Sequence, residues 1–159
     1  MGKRFVLEQI QIIPKPRSEV FAFFSDARNL ERLTPDFLGF QIITPEPVEM
    51  KAGAIIEYSL RLYGVPLHWT TRIDTFEPET RFVDIQLQGP YKFWRHLHEF
   101  EDVEEGTRIR DAVDYEVPLG VLGTAAHVLF VRASLERIFC YRRKAVTEVF
   151  GLAQEWNTG

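Results

Sequence analysis

The sequence predicts an α+β fold: a curved, seven-stranded antiparallel sheet with two short helices and one long C-terminal helix over a cavity. Three observations lead there. Between residues 40 and 117, short β-branched and aromatic runs are broken by turn residues at regular spacing, which favours hairpins over crossovers. From 121 to about 152 the apolar spacing changes to three and four, with no Gly or Pro from Thr124 to Phe150. A sheet of that size twists and curls, and its concave face must be covered; the last helix is the only element large enough. One helix gripping a curled sheet leaves space between the two.

Arg4–Ile13 alternates Val6, Glu8, Ile10 and Ile12 against Phe5, Leu7, Gln9 and Gln11, as in a strand with one side on a core. Pro14 and Pro16 end it by removing ladder donors. A short helix follows with Val20, Phe21, Phe23 and Phe24 on its apolar side. Asp26 can cap a second helix, whose Leu30 and Leu33 stand three apart before Pro35 stops it. Turn signals at Pro45/Pro47, Lys51-Ala52-Gly53, Tyr63-Gly64, Pro78-Glu79, Gly89-Pro90 and Glu105-Gly106 leave room for strands near 40–44, 54–63, 66–76, 81–87, 91–103 and 107–117. In the last segment Val128, Val131, Leu135, Ile138, Phe139, Val146 and Val149 recur at helical offsets. A single unbroken helix there would be about 40 Å long.

The chain has 159 residues, 45% of them hydrophobic and 26% charged, with no linker or repeat, so one domain over 1–159 is expected. Nineteen Lys+Arg against 23 Asp+Glu give a formal charge of −4, which argues against a nucleic-acid or anionic-membrane partner. The single cysteine, Cys140, excludes an intramolecular disulfide, and its mid-helix place suggests a small core residue. No run reaches the roughly 18 apolar residues of a membrane span, and Arg132, Arg137, Arg142, Arg143 and Lys144 exclude the last helix. The Met1-Gly2-Lys3-Arg4 start lacks the apolar stretch of a signal peptide, so the cytoplasm is the expected compartment.

The element order resembles the helix-grip fold of START-related and Bet v 1-like proteins, the polyketide cyclase/dehydrase superfamily. The likeness is carried by Trp69-Thr70-Thr71-Arg72-Ile73, Phe82-Val83-Asp84-Ile85-Gln86 and Gly89-Pro90-Tyr91. It continues in Trp94-Arg95-His96-Leu97-His98-Glu99-Phe100, Gly106-Thr107, Asp111-Ala112-Val113-Asp114-Tyr115, Pro118-Leu119-Gly120 and Ile138-Phe139-Cys140-Tyr141-Arg142. That series is similar to a bacterial subgroup of small ligand-binding proteins, some fused to sugar-epimerase-like domains. The resemblance implies a cavity for a hydrophobic or amphipathic small molecule, in effect a lipid-binding type of pocket. It implies no particular reaction, because the superfamily mixes carriers, sensors and cyclases.

Hairpin arithmetic orients the side chains. With Glu105-Gly106 as a two-residue turn, Glu104 pairs with Thr107, Phe100 stands opposite Asp111, His98 opposite Val113 and His96 opposite Tyr115. Trp94, His96, His98, Phe100, Asp111, Val113 and Tyr115 then face inward, and Arg95, Leu97, Glu99, Arg110, Asp114 and Glu116 face solvent. With Tyr63 paired to Pro66, Leu60 faces Trp69 and Tyr58 faces Thr71. Asp84 and Gln86 are placed inward, partly on the resemblance, which leaves Val83, Ile85 and Leu87 as an exposed strip. Counting 128, 131, 135, 138, 142, 146 puts Arg142 on the apolar face of the helix. There it needs a carboxylate, Asp84 or Asp111, unless it snorkels past the helix edge.

His96-x-His98 with Asp84 or Asp111 has the ligand types of a metal site, but without a third nearby His the expectation is hydrogen-bonded imidazoles, no metal and no cofactor. His68 is placed outward, and His127 at the surface or packed on a loop. The sequence therefore predicts binding of a small hydrophobic or amphipathic ligand. Tyr58, Trp69, Trp94, Phe100 and Tyr115 would form its walls, and Asp84, Gln86, His96, His98 and Asp111 its polar end, with Arg142 as counter-charge. The alternative is a cyclase or dehydratase using His96 or His98 as general base, oriented by Asp111 or Asp84, with Tyr115 or Arg142 stabilising an enolate. A third reading is a homodimer formed through Val83, Ile85 and Leu87.

Overall fold

The computed structural model describes residues 3–45, 48–62 and 64–151, without the side chains of Val121, Val128 and Leu129. The readings that use Met1, Gly2, Pro47, Tyr63, Leu152 and those three side chains therefore lie outside the described residues. Seven strands form one sheet: β1 (Arg4–Ile13), β2 (Gln41–Ile42), β3 (Ile55–Leu62), β4 (Val65–Glu77), β5 (Arg81–Gln88), β6 (Phe93–Val103) and β7 (Gly106–Glu116). Their order is β1-β7-β6-β5-β4-β3-β2, antiparallel throughout, so consecutive strands from β2 to β7 are hairpin neighbours and β1 closes beside β7. Helices α1 (Arg17–Phe24) and α2 (Asn29–Arg32) fill the crossing from β1 to β2. Asp26 does not cap α2 from the N-cap position; its carboxylate accepts the Arg28 backbone N–H at 3.0 Å, one turn of chain earlier.

Both hairpin registers differ from expectation by two residues. In β6–β7 the turn is Glu104-Glu105, with Val103 opposite Gly106, so His98 faces Asp111, His96 faces Val113 and Trp94 faces Tyr115. Gly106 is thus a strand residue at a close approach: a Cβ there would run into the carbonyl oxygen of Ile13. In β3–β4, Leu62 pairs with Val65 and Tyr58 faces Trp69. Because a strand repeats every two residues, a two-residue shift changes partners and preserves faces. The inward set on β6 and β7 stays inward: His96, His98, Phe100, Asp111, Val113 and Tyr115 are all buried.

The C-terminal segment is not one uninterrupted helix. It comprises α3 (Gly120–Ala126), a π-helical turn at His127–Val131, and α4 (Arg132–Phe150). The wide turn accompanies a turned-in His127, 2% exposed, which stacks on Phe5 at 3.5 Å and bonds the Tyr115 hydroxyl at 2.7 Å. This side chain is therefore buried, not superficial. Helix α4 is tied to the edge strand: the Gln11 Nε2–H donates to the Arg143 carbonyl and the Thr147 hydroxyl, both at 3.1 Å. Below it Val146 and Phe150 join Phe21, Phe24, Phe82 and Phe100 in an apolar floor, each large side chain contributing roughly 2 kcal/mol by burial.

Three further expectations give way. Cys140 is exposed, because its position on α4 turns it away from the sheet. Val83 is buried at 2% and Ile85 half-buried, leaving only Leu87 of the proposed strip exposed; Val83 sits beside the β-bulge between Ile73 and Thr75. Glu116 is buried, held by Lys92 Nζ at 3.0 Å and by Arg4 at 4.0 Å. Among the described residues no helix is long and apolar enough to cross a membrane.

Candidate functional site

Between α4 and the concave sheet lies a cavity of about 170 Å³. Helix α4 contributes Leu135, Ile138, Phe139 and Arg142, and the segment around α2 contributes Leu30, Leu33 and Leu38. The sheet supplies Tyr58, Trp69, Asp84, Trp94, His96 and His98. The aromatic wall is continuous: Tyr58 stacks on Trp69 at 5.9 Å, and Trp94 meets Trp69 edge-on at 5.2 Å. Four of the predicted residues stand off this wall. Phe100 packs into the phenylalanine floor against Phe21, and Tyr115 bonds His127. Asp111 lies behind the histidines. The Gln86 amide donates to the Tyr91 carbonyl at 2.7 Å and accepts the Tyr91 N–H at 3.2 Å, closing the β5–β6 connection.

Residues that sequence reasoning did not assign to the wall include Phe82, Tyr91, Ile138 and Phe139. Two of these signals were present: Ile138 shares the apolar helix face with Arg142, and Phe82 shares strand parity with Asp84. Tyr91 belongs to a turn, for which periodicity has no reading.

At one end of the cavity three neighbouring strands bring together two carboxylates and two imidazoles. Strand β6 contributes His96 and His98, two residues apart and so on one face. Asp84 on β5 is in register with His96, and Asp111 on β7 with His98, but each carboxylate bonds diagonally. His98 Nε2–H donates to Asp84 Oδ2 at 2.8 Å, and His96 Nε2–H donates to Asp111 Oδ1 at 3.2 Å. Asp111 Oδ1 also lies 3.0 Å from His98 Nδ1, within ion-pair range but off the line of an N–H bond. An ionised carboxylate only accepts, which places the His96 proton on Nε2 and leaves the lone pair on Nδ1.

Burial dominates the electrostatics and the partners decide its sign. For His96, burial and the repulsion of His98 outweigh the neighbouring acids and depress the pKa to about 4. For His98, burial also pulls down, but the close carboxylate of Asp111 and the hydrogen bond and charge of Asp84 together exceed it and the pKa is raised. Burial would raise both acids, and the imidazoles overcome it, so Asp84 and Asp111 are held below the usual carboxylate range. Near neutral pH the site therefore holds two carboxylates and a neutral His96, and His98 keeps its proton to higher pH than a free imidazole does. Burial, with the Asp84 charge second, pushes the Tyr58 phenol up; its hydroxyl is 3.0 Å from that of Thr71.

Arg142 reaches the cavity but does not make the expected ion pair. Among the described residues no carboxylate lies within 4.0 Å of it, and its Nε and Nη1 are buried with no hydrogen-bond partner. The guanidinium sits 5.6 Å from the Phe139 ring and acts on Asp84 through space. The acids are already engaged by the histidines.

Asp84, His96 and His98 could hold a metal ion, their ligand atoms lying within 4.8 Å of one another. Ligands sharing one ion at about 2.0–2.2 Å stand roughly 3.3 Å apart, so the set would have to contract and give up the His98–Asp84 proton.

The model of a family described as polyketide cyclase / dehydrase and lipid transport matches residues 13–138. The chain belongs to this family. Membership carries a ligand-binding or cyclase-type role in general terms. Among solved structures, an aromatase/cyclase from Streptomyces is 16% identical, covering 91% of this chain and 92% of its own, with TM-score 0.71. A major latex-like protein from Panax ginseng is 12% identical over 94% of this chain and 99% of its own, with TM-score 0.68. Both likenesses show the fold alone, the helix-grip fold of Bet v 1-like proteins. A nucleoside-diphosphate sugar epimerase from Corynebacterium glutamicum is 31% identical over 89% of this chain, with TM-score 0.67, but the match spans only 28% of that protein. Comparison with curated proteins found no significant match.

Proposed function

We propose that the protein binds a small hydrophobic or amphipathic molecule between α4 and the sheet, with its polar group toward the end of the cavity that carries Arg142 and the His/Asp cluster. The observation that carries this is an apolar, aromatic-walled cavity ending in buried ionised groups. Such a combination is costly for stability alone and suited to orienting a ligand. Trp69 and Trp94 make the reading testable by intrinsic fluorescence. Titration with a single-ring aromatic ketone should quench them saturably in the wild type. Leu135→Trp, which fills the space from the helix side, should abolish the effect. Quenching that does not saturate, or that survives the filling, contradicts the reading.

A second reading, a cyclase or dehydratase, is favoured by one specific observation. An imidazole with depressed proton affinity and one with raised proton affinity stack 3.8 Å apart at the cavity. His96 Nδ1 would take the proton α to a carbonyl while His98 gives its proton to the carbonyl oxygen, producing the enol. Its test is turnover of a β-keto compound that His96→Ala and His98→Ala abolish while affinity survives.

A further inference from the structure

Among the described side chains, five buried nitrogens and no buried oxygens lack a hydrogen-bond partner, and three of the five belong to residues lining the cavity away from the histidines: Arg142 Nε, Arg142 Nη1 and Trp69 Nε1. All three are donors that cannot accept. None of the acceptors lining the same space reaches these three nitrogens: Asp84 Oδ2 takes the His98 proton, and the Tyr58 and Thr71 hydroxyls share one hydrogen bond. This side of the cavity therefore has N–H groups to offer and no protein acceptor that takes them, and an occupant that supplies oxygen satisfies them. One of the donors is permanently charged, which makes an anionic oxygen the fitting partner.

Size and shape narrow the class. A cavity of about 170 Å³ is close to the roughly 150 Å³ known to hold a benzene ring, well below the roughly 300 Å³ where drug-sized pockets begin. Tyr58, Trp69 and Trp94 present ring faces and edges, which favour a planar partner. Resting on the ligand-binding reading above, we infer that the occupant is a small aromatic carboxylic acid whose carboxylate pairs with Arg142 from the helix side, its ring lying against the tryptophan wall. Asp84 sets the orientation, since a carboxylate carried past Arg142 toward the sheet would meet a second negative charge.

The test uses three single-ring probes of one shape: benzoate, acetophenone, which keeps one acceptor and loses the charge, and isopropylbenzene, which has neither. Calorimetric titration of the wild-type protein at neutral pH should show benzoate binding at least tenfold tighter than acetophenone, and isopropylbenzene weakest. In Arg142→Met the preference for the acid should fall below twofold while isopropylbenzene still binds; Arg142→Lys should keep part of it. Equal affinity for acid and hydrocarbon in the wild type overturns the inference and leaves the cavity reading standing. A preference that survives Arg142→Met overturns the role of Arg142. If no probe binds, the cavity reading fails and the inference with it. Should Arg142→Met not fold, the wild-type series and Arg142→Lys decide.

Discussion

The imidazoles of His96 and His98 stack with centroids 3.8 Å apart and planes 24° from parallel, yet their proton affinities are driven in opposite directions. The difference lies in their partners: His98 has Asp84 on one nitrogen and Asp111 beside the other, and His96 has Asp111 alone. Titration followed by imidazole NMR should show His98 losing its proton above 6.5 and His96 neutral until about pH 4. Because the two interact strongly, the steps belong to the pair as a unit. A spectrum in which His98 loses its proton below 6.5, or in which both rings titrate together, contradicts this assignment.

The same shifts fix the pH dependence of stability. His96 is depressed in the fold, so between 6.5 and about 4 the unfolded chain binds the extra proton and stability falls as pH falls. The full window is worth on the order of 3 kcal/mol. His98 is raised, so its contribution is complete below the unfolded value of 6.5 and is lost as pH rises through the folded pKa. The two acids are depressed, and their contribution disappears as pH falls below 3.8. Urea unfolding across this range should give maximal stability near neutrality. His96→Gln should flatten the acid limb above pH 4, a change absent if His96 titrates normally.

Much of this arrangement is visible before any coordinates. Strand parity alone put His96, His98, Asp111 and Tyr115 on one side, because a two-residue error in register leaves faces unchanged. The spacing of α4 put Arg142 with Leu135 and Ile138 on the helix face over the sheet. Other features depend on three-dimensional neighbours that periodicity does not encode. The π turn at His127 follows from its contacts with Phe5 and Tyr115, which are far away in the chain. Gln86 has the parity of Asp84 but is diverted by the backbone of Tyr91. Arg142 stays unpaired because Asp84 and Asp111 are already taken by imidazoles, a competition decided only in the folded site.

Asp111 is the most strongly coupled member of the cluster. Asp111→Ala should destabilise the protein by about 3–5 kcal/mol, since it takes from two buried imidazoles the carboxylate that both of them contact. It should also lower the pKa of His98. Chemical denaturation and the imidazole titration measure both. A loss below about 1 kcal/mol contradicts the coupling described.

Tyr115→Phe removes the hydroxyl bonded to His127 and leaves a buried ring nitrogen without that partner. The expected loss is about 1–3 kcal/mol, with hydrogen exchange accelerated in His127–Val131. Unchanged exchange there would show that the π turn does not depend on this bond.

The surface strip is a weaker candidate for self-association than the sequence suggests, since Val83 is buried. Ile85→Lys should leave the mass in solution unchanged, measured by sedimentation over a wide concentration range. A concentration-dependent mass that this substitution abolishes would restore the dimer reading.

The most direct measurement is a crystal structure of protein purified without denaturation, and the density between α4 and the sheet is what it reads. The account predicts density for a small planar molecule against Trp69, with an oxygen near the Arg142 guanidinium. Side chains packed solidly through that space, or His96 and His98 turned toward bulk water, would contradict it.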